Sequence, residues 1–259
     1  MEGAVALHTI RQGAGPARPL VIAHGLFGSA RNWGRIARDL SDRGPVIAAD
    51  MRNHGVSPWT NHHDYAGMAA DLAALIAAED QPCDVLGHSM GGKAAMVLAI
   101  AQPELVARLV IADIAPIAYD HSQAHLVAAM RGVALDTVQT RRDADAALAT
   151  AVPDPGTRAF LLHALDMQSH PPRWRLNLAA LADGMAGLIG FPGVVGQYRG
   201  PALFLRGERS GYVPDGAEAR IRALFPKARI QTLPGTGHWL HAEDPVGFTA
   251  AVRDFLDRG

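Results

Sequence analysis

Apolar residues in this chain fall into short unbroken runs, separated by longer stretches where they recur every three or four positions. Leu20-Val21-Ile22-Ala23, Pro45-Val46-Ile47-Ala48-Ala49, Leu109-Val110-Ile111-Ala112 and Ala202-Leu203-Phe204-Leu205 are such runs, and Asp84-Val85-Leu86-Gly87 is a shorter one. Runs without polar alternation predict strands buried on both faces. Val5 to Ile10 predicts an edge strand, and Ala228 to Leu233 a last strand. Arg31 to Leu40 places Trp33, Ile36, Ala37 and Leu40 at helical spacing, and Tyr65 to Ala78 and Lys93 to Ala101 are helical stretches rich in Ala. Strands alternating with helices predict an α/β domain, a mostly parallel sheet covered by helices on both faces.

From Ile114 to about Arg199 the pattern changes. Strand-like runs disappear, and helical segments rich in Ala and Leu are broken by Pro153, Pro155, Pro171, Pro172 and Pro192. The strand pattern then resumes at Ala202. The insertion is too long for a plain crossover. It predicts a helical cap at 116–199 over the carboxyl ends of the strands, where open α/β sheets place their ligands. Residues 1–115 and 200–259 are then the core.

Composition narrows the classes. The chain has 259 residues, 49% hydrophobic and 19% charged, which is an ordinary core-forming balance. The net charge of −1 gives no electrostatic support for nucleic acid or an anionic membrane. Cys83 is the single cysteine, so no internal disulfide can form and a reducing cytoplasmic setting is expected. No basic, apolar leader and no run long enough to span a bilayer is read from the sequence.

The candidate chemistry centres on Gly87-His88-Ser89-Met90-Gly91-Gly92-Lys93, which joins a predicted strand to a predicted helix. G-x-S-x-G in that setting is a nucleophile elbow, with small residues two before and two after the serine because the turn is so tight. Ser89 is thus a candidate nucleophile, and the Met90 N–H lies at a helix N-terminus, where negative charge is favoured. Among twelve histidines, His238 in Gly235-Thr236-Gly237-His238-Trp239 is the candidate base, because its loop follows the last predicted strand. His88 adjoins Ser89, but neighbours on a tight turn point apart. His54, His62, His63 and His163 read as solvated or structural, and His241 as a buttress. His121 and His125 have i, i+4 spacing without a nearby Glu, so a surface pair is expected rather than a metal site. His24-Gly25-Leu26-Phe27-Gly28 follows the second strand, which makes the N–H groups of Leu26 and Met90 candidate oxyanion donors. Asp113, Glu208 and Asp215 are the carboxylates that could orient the base. Asp50, Arg52 and His54 read as a structural turn, and Trp59, Trp174 and Trp239 as packing residues.

Four motifs together resemble the α/β-hydrolase superfamily in its capped serine esterase branch. They are His24-Gly25-Leu26-Phe27-Gly28-Ser29, Asp50-Met51-Arg52-Asn53-His54-Gly55-Val56-Ser57, the string around Ser89, and Gly237-His238-Trp239-Leu240-His241-Ala242-Glu243. Asp113-Ile114-Ala115-Pro116 adds to the likeness, which covers nearly the whole chain and is weakest from about 120 to 199. The resemblance implies an α/β-hydrolase fold with a helical cap inserted after the sixth strand, and the chain order Ser, Asp, His. It also implies that the usual position of the acid, in Arg206-Gly207-Glu208-Arg209-Ser210, holds Ser210 instead. In similar esterases Asp113 takes the acid's place, with Ser210 as a fourth member of the network.

The expected activity is hydrolysis of a carboxylic ester or thioester through an acyl-enzyme on Ser89, with short to medium acyl esters or acyl-CoA-like thioesters as small-molecule substrates. No metal and no organic cofactor is implied. Carbon–carbon bond hydrolases, lactonases and cofactor-free haloperoxidases share a serine elbow, and a ligand receptor built on the same fold is a further alternative. Arg131, Arg141, Arg142, Arg173 and Arg175 could meet an anionic head group, although solvated helix faces explain them as well.

Overall fold

The computed structural model describes residues 3–258. Seven strands form one sheet in the order β1-β3-β2-β4-β5-β8-β9. They are β1 Thr9–Gln12, β2 Leu20–Ala23, β3 Val46–Ala49, β4 Cys83–His88, β5 Val106–Ala112, β8 Ala202–Gly207 and β9 Ala228–Leu233. Only β1 runs antiparallel, against β3; the other neighbours pair in parallel.

The unbroken apolar runs serve two cores at once, because successive side chains on a strand point to opposite faces. Leu20 and Ile22 join Trp33, Leu40, Phe248 and Val252 on one face. Val21 and Ala23 join Met68, Leu72, Ala94 and Leu98 on the other. The first face is covered by α1 Gly34–Leu40, the short α9 Leu240–Glu243 and α10 Pro245–Asp257; the second by α2 Tyr65–Ala77, α3 Met90–Ala101 and α8 Glu218–Leu224. Helix starts follow side-chain chemistry: Asp64 accepts the Gly67 N–H at α2, and Asp244 accepts the Gly247 N–H at α10.

Between β5 and β8 lie α4 Ala124–Arg131, α5 Arg141–Leu148, α6 Pro155–Leu162, a hairpin of β6 Leu165–Asp166 and β7 Arg173–Trp174, and α7 Leu178–Ile189. The hairpin is a difference from the purely helical expectation, since two-residue strands leave no apolar run to read. The insertion does not build a separate core. Its Leu126, Met130, Trp174 and Leu181 belong to the same apolar cluster as Val85 and Leu98.

Five strands, not six, precede this segment among the described residues. The predicted edge strand at Val5 to Ile10 is also shifted, to Thr9–Gln12. The shift has a local cause: Val5 and His8, ahead of Thr9, spend their backbone donors on side chains rather than on a neighbouring strand. The Val5 N–H donates to Asp71 and the His8 N–H to Ser57. Arg31 to Leu40 likewise begins as a 3-10 turn at Ala30–Trp33 before becoming α1. Among the described residues no helix is long and apolar enough to cross a membrane.

Candidate active site

The carboxyl ends of the parallel strands converge on one edge of the sheet. β4 runs into α3 through Ser89, whose φ of 51° and ψ of −118° are a strained conformation for a residue with a side chain. A Cβ on Gly87 would strike the Gly91 carbonyl, and one on Gly91 would strike the carbonyls of Ala23 and His24. Glycine is therefore required at both places for the turn to close. Ser89 stands at the N-cap of α3, yet its hydroxyl makes no cap bond. That leaves the hydroxyl for another partner.

The partner is His238, whose Nε2 lies 3.1 Å from Ser89 Oγ. The other ring nitrogen, Nδ1, is 2.7 Å from Asp113 Oδ2. A carboxylate only accepts, so Nδ1 carries the proton and Nε2 presents its lone pair to the serine O–H. Asp113 follows β5 at φ 50° and is fully buried. Its Oδ1 accepts the Gly207 N–H at 2.9 Å. Its Oδ2 also accepts a hydrogen bond from the Ser210 hydroxyl. Such a line of groups can pass a proton from hydroxyl to imidazole while a fixed carboxylate balances the charge that develops.

The two other carboxylates lie elsewhere. Glu208 accepts the Gly235 N–H at the surface, and Asp215 pairs with Arg206. Tyr212 stacks on the His238 ring, centroids 3.9 Å apart and 22° from parallel. His88 points away from the serine, and its Nε2–H donates to the His238 carbonyl at 2.9 Å. His241 buttresses the loop by stacking on Trp33 at 4.2 Å.

Leu26 and Met90 both line the cavity above Ser89. Among the described residues neither backbone N–H donates to a protein acceptor. The cavity measures about 490 Å³. Its walls include Leu26, Phe27, Ile114 and Met90 from the core, and Leu126, Val152, Phe160 and Leu188 from the insertion. None of Arg131, Arg141, Arg142, Arg173 and Arg175 lines it. Arg141 binds the Leu162 and Leu165 carbonyls, and Arg173 and Arg175 face Asp166. His121 and His125 are exposed and border the cavity. Among the described residues no group of three or more His, Cys, Asp or Glu is arranged to hold a metal ion.

Two tryptophans depart from expectation. Trp59 is 57% exposed. Trp239 lines the cavity beside Phe160 rather than only packing. Trp174 is buried as expected, with its N–H on the Met130 carbonyl.

The sequence reading missed Lys93 and Tyr212. Lys93 is 1% exposed and its ammonium donates to the carbonyls of Ile117, Ile189 and Gly190. These carbonyls flank both ends of the insertion. Burial lowers its pKa to about 8. A charged residue opening an apolar helix, Lys93 before Ala94-Ala95-Met96, was the available signal. Tyr212 carried none, because its stacking depends on a loop 26 residues further along.

Comparison with known proteins settles the family. The model described as "Alpha/beta hydrolase family" matches residues 20–252. This chain belongs to the α/β-hydrolase family. Within it, "Esterase YbfF" of Escherichia coli (strain K12) is 37% identical over 242 residues, covering 92% of this chain and 93% of that protein. The "sn-1-specific diacylglycerol lipase ABHD11" of Mus musculus is 40% identical over 247 residues, covering 92% of this chain and 80% of that one. A solved structure, "Marine microorganism esterase", superimposes with a TM-score of 0.93 at 35% identity, over 97% of this chain and 100% of that one. As a member of the α/β-hydrolase family with these relatives, the chain is a carboxylic ester hydrolase.

Proposed function

We propose that Ser89, His238 and Asp113 are the catalytic triad, and that esters are cleaved through an acyl-enzyme on Ser89. The observation that carries the reading is the 3.1 Å approach of His238 Nε2 to Ser89 Oγ, with the ring's other nitrogen held by a buried carboxylate. Ser89 Oγ attacks the acyl carbon as its proton moves to His238 Nε2. The Leu26 and Met90 N–H groups receive the oxyanion. The protonated ring gives its proton to the leaving alcohol. A water, deprotonated by His238, then attacks the acyl carbon; the bond to Ser89 Oγ breaks, the ring returns its proton to that oxygen, and the acid leaves. Asp113 keeps the ring in the right tautomer and balances the imidazolium, and Ser210 steadies Asp113 through its hydroxyl.

Residues 116–199 act as a cap on a core made of 1–115 and 200–259. The apolar walls that the insertion adds to the cavity support this. They also support short to medium acyl esters of uncharged alcohols, because the arginines that would meet an anionic head lie off the cavity. The names of the relatives, an esterase and a diacylglycerol lipase, fit the same class.

A rate profile over acyl length tests this, run in parallel with p-nitrophenyl esters and CoA thioesters. Neutral oxygen esters should show the higher kcat/KM at every length, and Ser89→Ala should abolish turnover of both. A preference for CoA thioesters would overturn the substrate class, and an active Ser89→Ala enzyme would overturn the mechanism.

A further inference from the structure

Two histidines outside the Ser89, His238 and Asp113 line touch the surroundings of both candidate oxyanion donors. His54 is fully buried, and its Nε2 accepts the N–H of Phe27, the residue after Leu26, at 3.2 Å. Its Nδ1–H donates to the Arg52 carbonyl at 2.9 Å, which fixes the tautomer. His63, 3% exposed, places Nε2 3.3 Å from Met90 Sδ, with Nδ1 beside the Asn53 amide at 3.4 Å. The two rings are 5.4 Å apart.

The loop carrying both rings is itself held fast. Arg52 forks onto Asp71 of α2 at 2.6 and 2.8 Å. Asp50 accepts the N–H groups of Ala30 and Val56. Asn53 accepts the Thr60 N–H at 2.7 Å.

The consequence falls on the peptide planes around Leu26. The Leu26 N–H shares a rigid plane with the Gly25 carbonyl. That carbonyl accepts the His24 Nδ1–H and the Gly28 N–H. The next plane carries the Phe27 N–H, which His54 holds. Phe27 itself sits at φ 64°, unfavourable for a bulky side chain, so the loop needs an outside restraint to keep this shape.

We infer that His54 and His63 are positioning residues that brace the two halves of the oxyanion hole from one loop, His54 through the Phe27 N–H and His63 through the Met90 side chain. The inference rests on the reading of Leu26 and Met90 as oxyanion donors. Burial lowers the His54 pKa to about 3, so the ring remains an acceptor at working pH.

The test compares His54→Leu, His54→Asn and His54→Gln in the full chain, with kcat, KM, Tm and the inhibition constant of a trifluoromethyl ketone. That ketone adds Ser89 Oγ to its carbonyl carbon, sends the proton to His238 and leaves an oxyanion in the hole. His54→Leu should lower kcat about 10- to 100-fold, because misplacing a donor costs less than deleting it. KM should stay within about threefold, and the ketone should weaken by the same factor as kcat. His54→Gln, long enough to reach the Phe27 N–H, should recover most of the loss, whereas the shorter His54→Asn should not. If His54→Leu does not fold, the Asn and Gln pair decides. Equal kcat and equal ketone affinity in that pair, or a loss confined to KM, would overturn the brace. Failure of the underlying mechanism looks different: the ketone would then ignore Ser89→Ala in the otherwise native protein.

Discussion

Asp113 and His238 are 125 residues apart in the chain, and the carboxylate of one lies 2.7 Å from Nδ1 of the other. The carboxylate cannot turn away, because Gly207 and Ser210 hold its two oxygens. Asp113→Asn would keep the shape but present an amide donor to the ring, favouring the wrong tautomer. kcat/KM on a chromogenic ester should fall about 10⁴-fold, the scale seen when a triad acid is neutralised. Glu208→Gln should stay near wild type, because among the described residues the Glu208 carboxylate accepts only the Gly235 N–H, at the surface. A larger loss in Glu208→Gln than in Asp113→Asn would move the acid to Glu208.

Ser210 gives a graded version of the same test. Ser210→Ala removes one hydrogen bond to Asp113 and leaves the charge in place. Steady-state kinetics should show a loss of about tenfold, equivalent to about 1.4 kcal/mol, which is close to the lower end for one hydrogen bond to a charged group. A loss matching Asp113→Asn would mean that Ser210, rather than the carboxylate, governs the ring.

Acid should unfold this protein early. Burial lowers the pKa of His24 to about 4 and of His54 and His241 to about 3, and lowers His63 and His88 well below 6.5. In the unfolded chain all five take up protons near pH 6.5, so between that pH and the folded values the unfolded state binds more protons. Stability is therefore complete above pH 6.5 and is lost as pH falls toward 4, by up to about 1.4 kcal/mol per pH unit for each ring. Denaturant midpoints measured from pH 7.5 to 4.5 should fall steeply. His241→Phe, which keeps an aromatic ring against Trp33, should flatten the slope by one proton. A flat profile would contradict the buried neutral rings.

Lys93 joins α3 to the carbonyls of Ile117, Ile189 and Gly190. Lys93→Met fills the same space but removes the ammonium from all three carbonyls, of which Ile189 keeps the Tyr119 N–H as a donor. The expected result is a lower Tm, with a stability loss of about 2 kcal/mol. KM should rise more than kcat falls, because Ile189 and Tyr119 line the cavity next to these anchors. Unchanged Tm and KM would show that the ammonium is not holding the insertion.

The sheet was readable where burial on both faces leaves an unbroken apolar run, as at β2, whose bounds match the expectation; β9 also matches, although its run is broken by the exposed Arg229, Gln231 and Thr232. It was unreadable where strands are two residues long, as in β6 and β7, or where side chains take up backbone donors, as before β1. Ser89 was legible because Gly87 and Gly91 mark a turn that tolerates no Cβ. Asp113 was not singled out by spacing alone, since Glu208 and Asp215 also lie between Ser89 and His238 in the chain; resemblance favoured it, and the geometry puts it beside His238. The roles of His54, His63 and Tyr212 depend on neighbours brought in from other segments, and a local pattern carries no trace of them; Lys93 left only the sign of a charge within an apolar helix.

The most direct measurement is the intact mass and peptide map of the protein after brief exposure to a fluorophosphonate. One adduct should form per chain, on Ser89. It should be absent in Ser89→Ala and form far more slowly in His238→Ala. Labelling elsewhere, or equal labelling of Ser89 without His238, would contradict a serine activated by that imidazole.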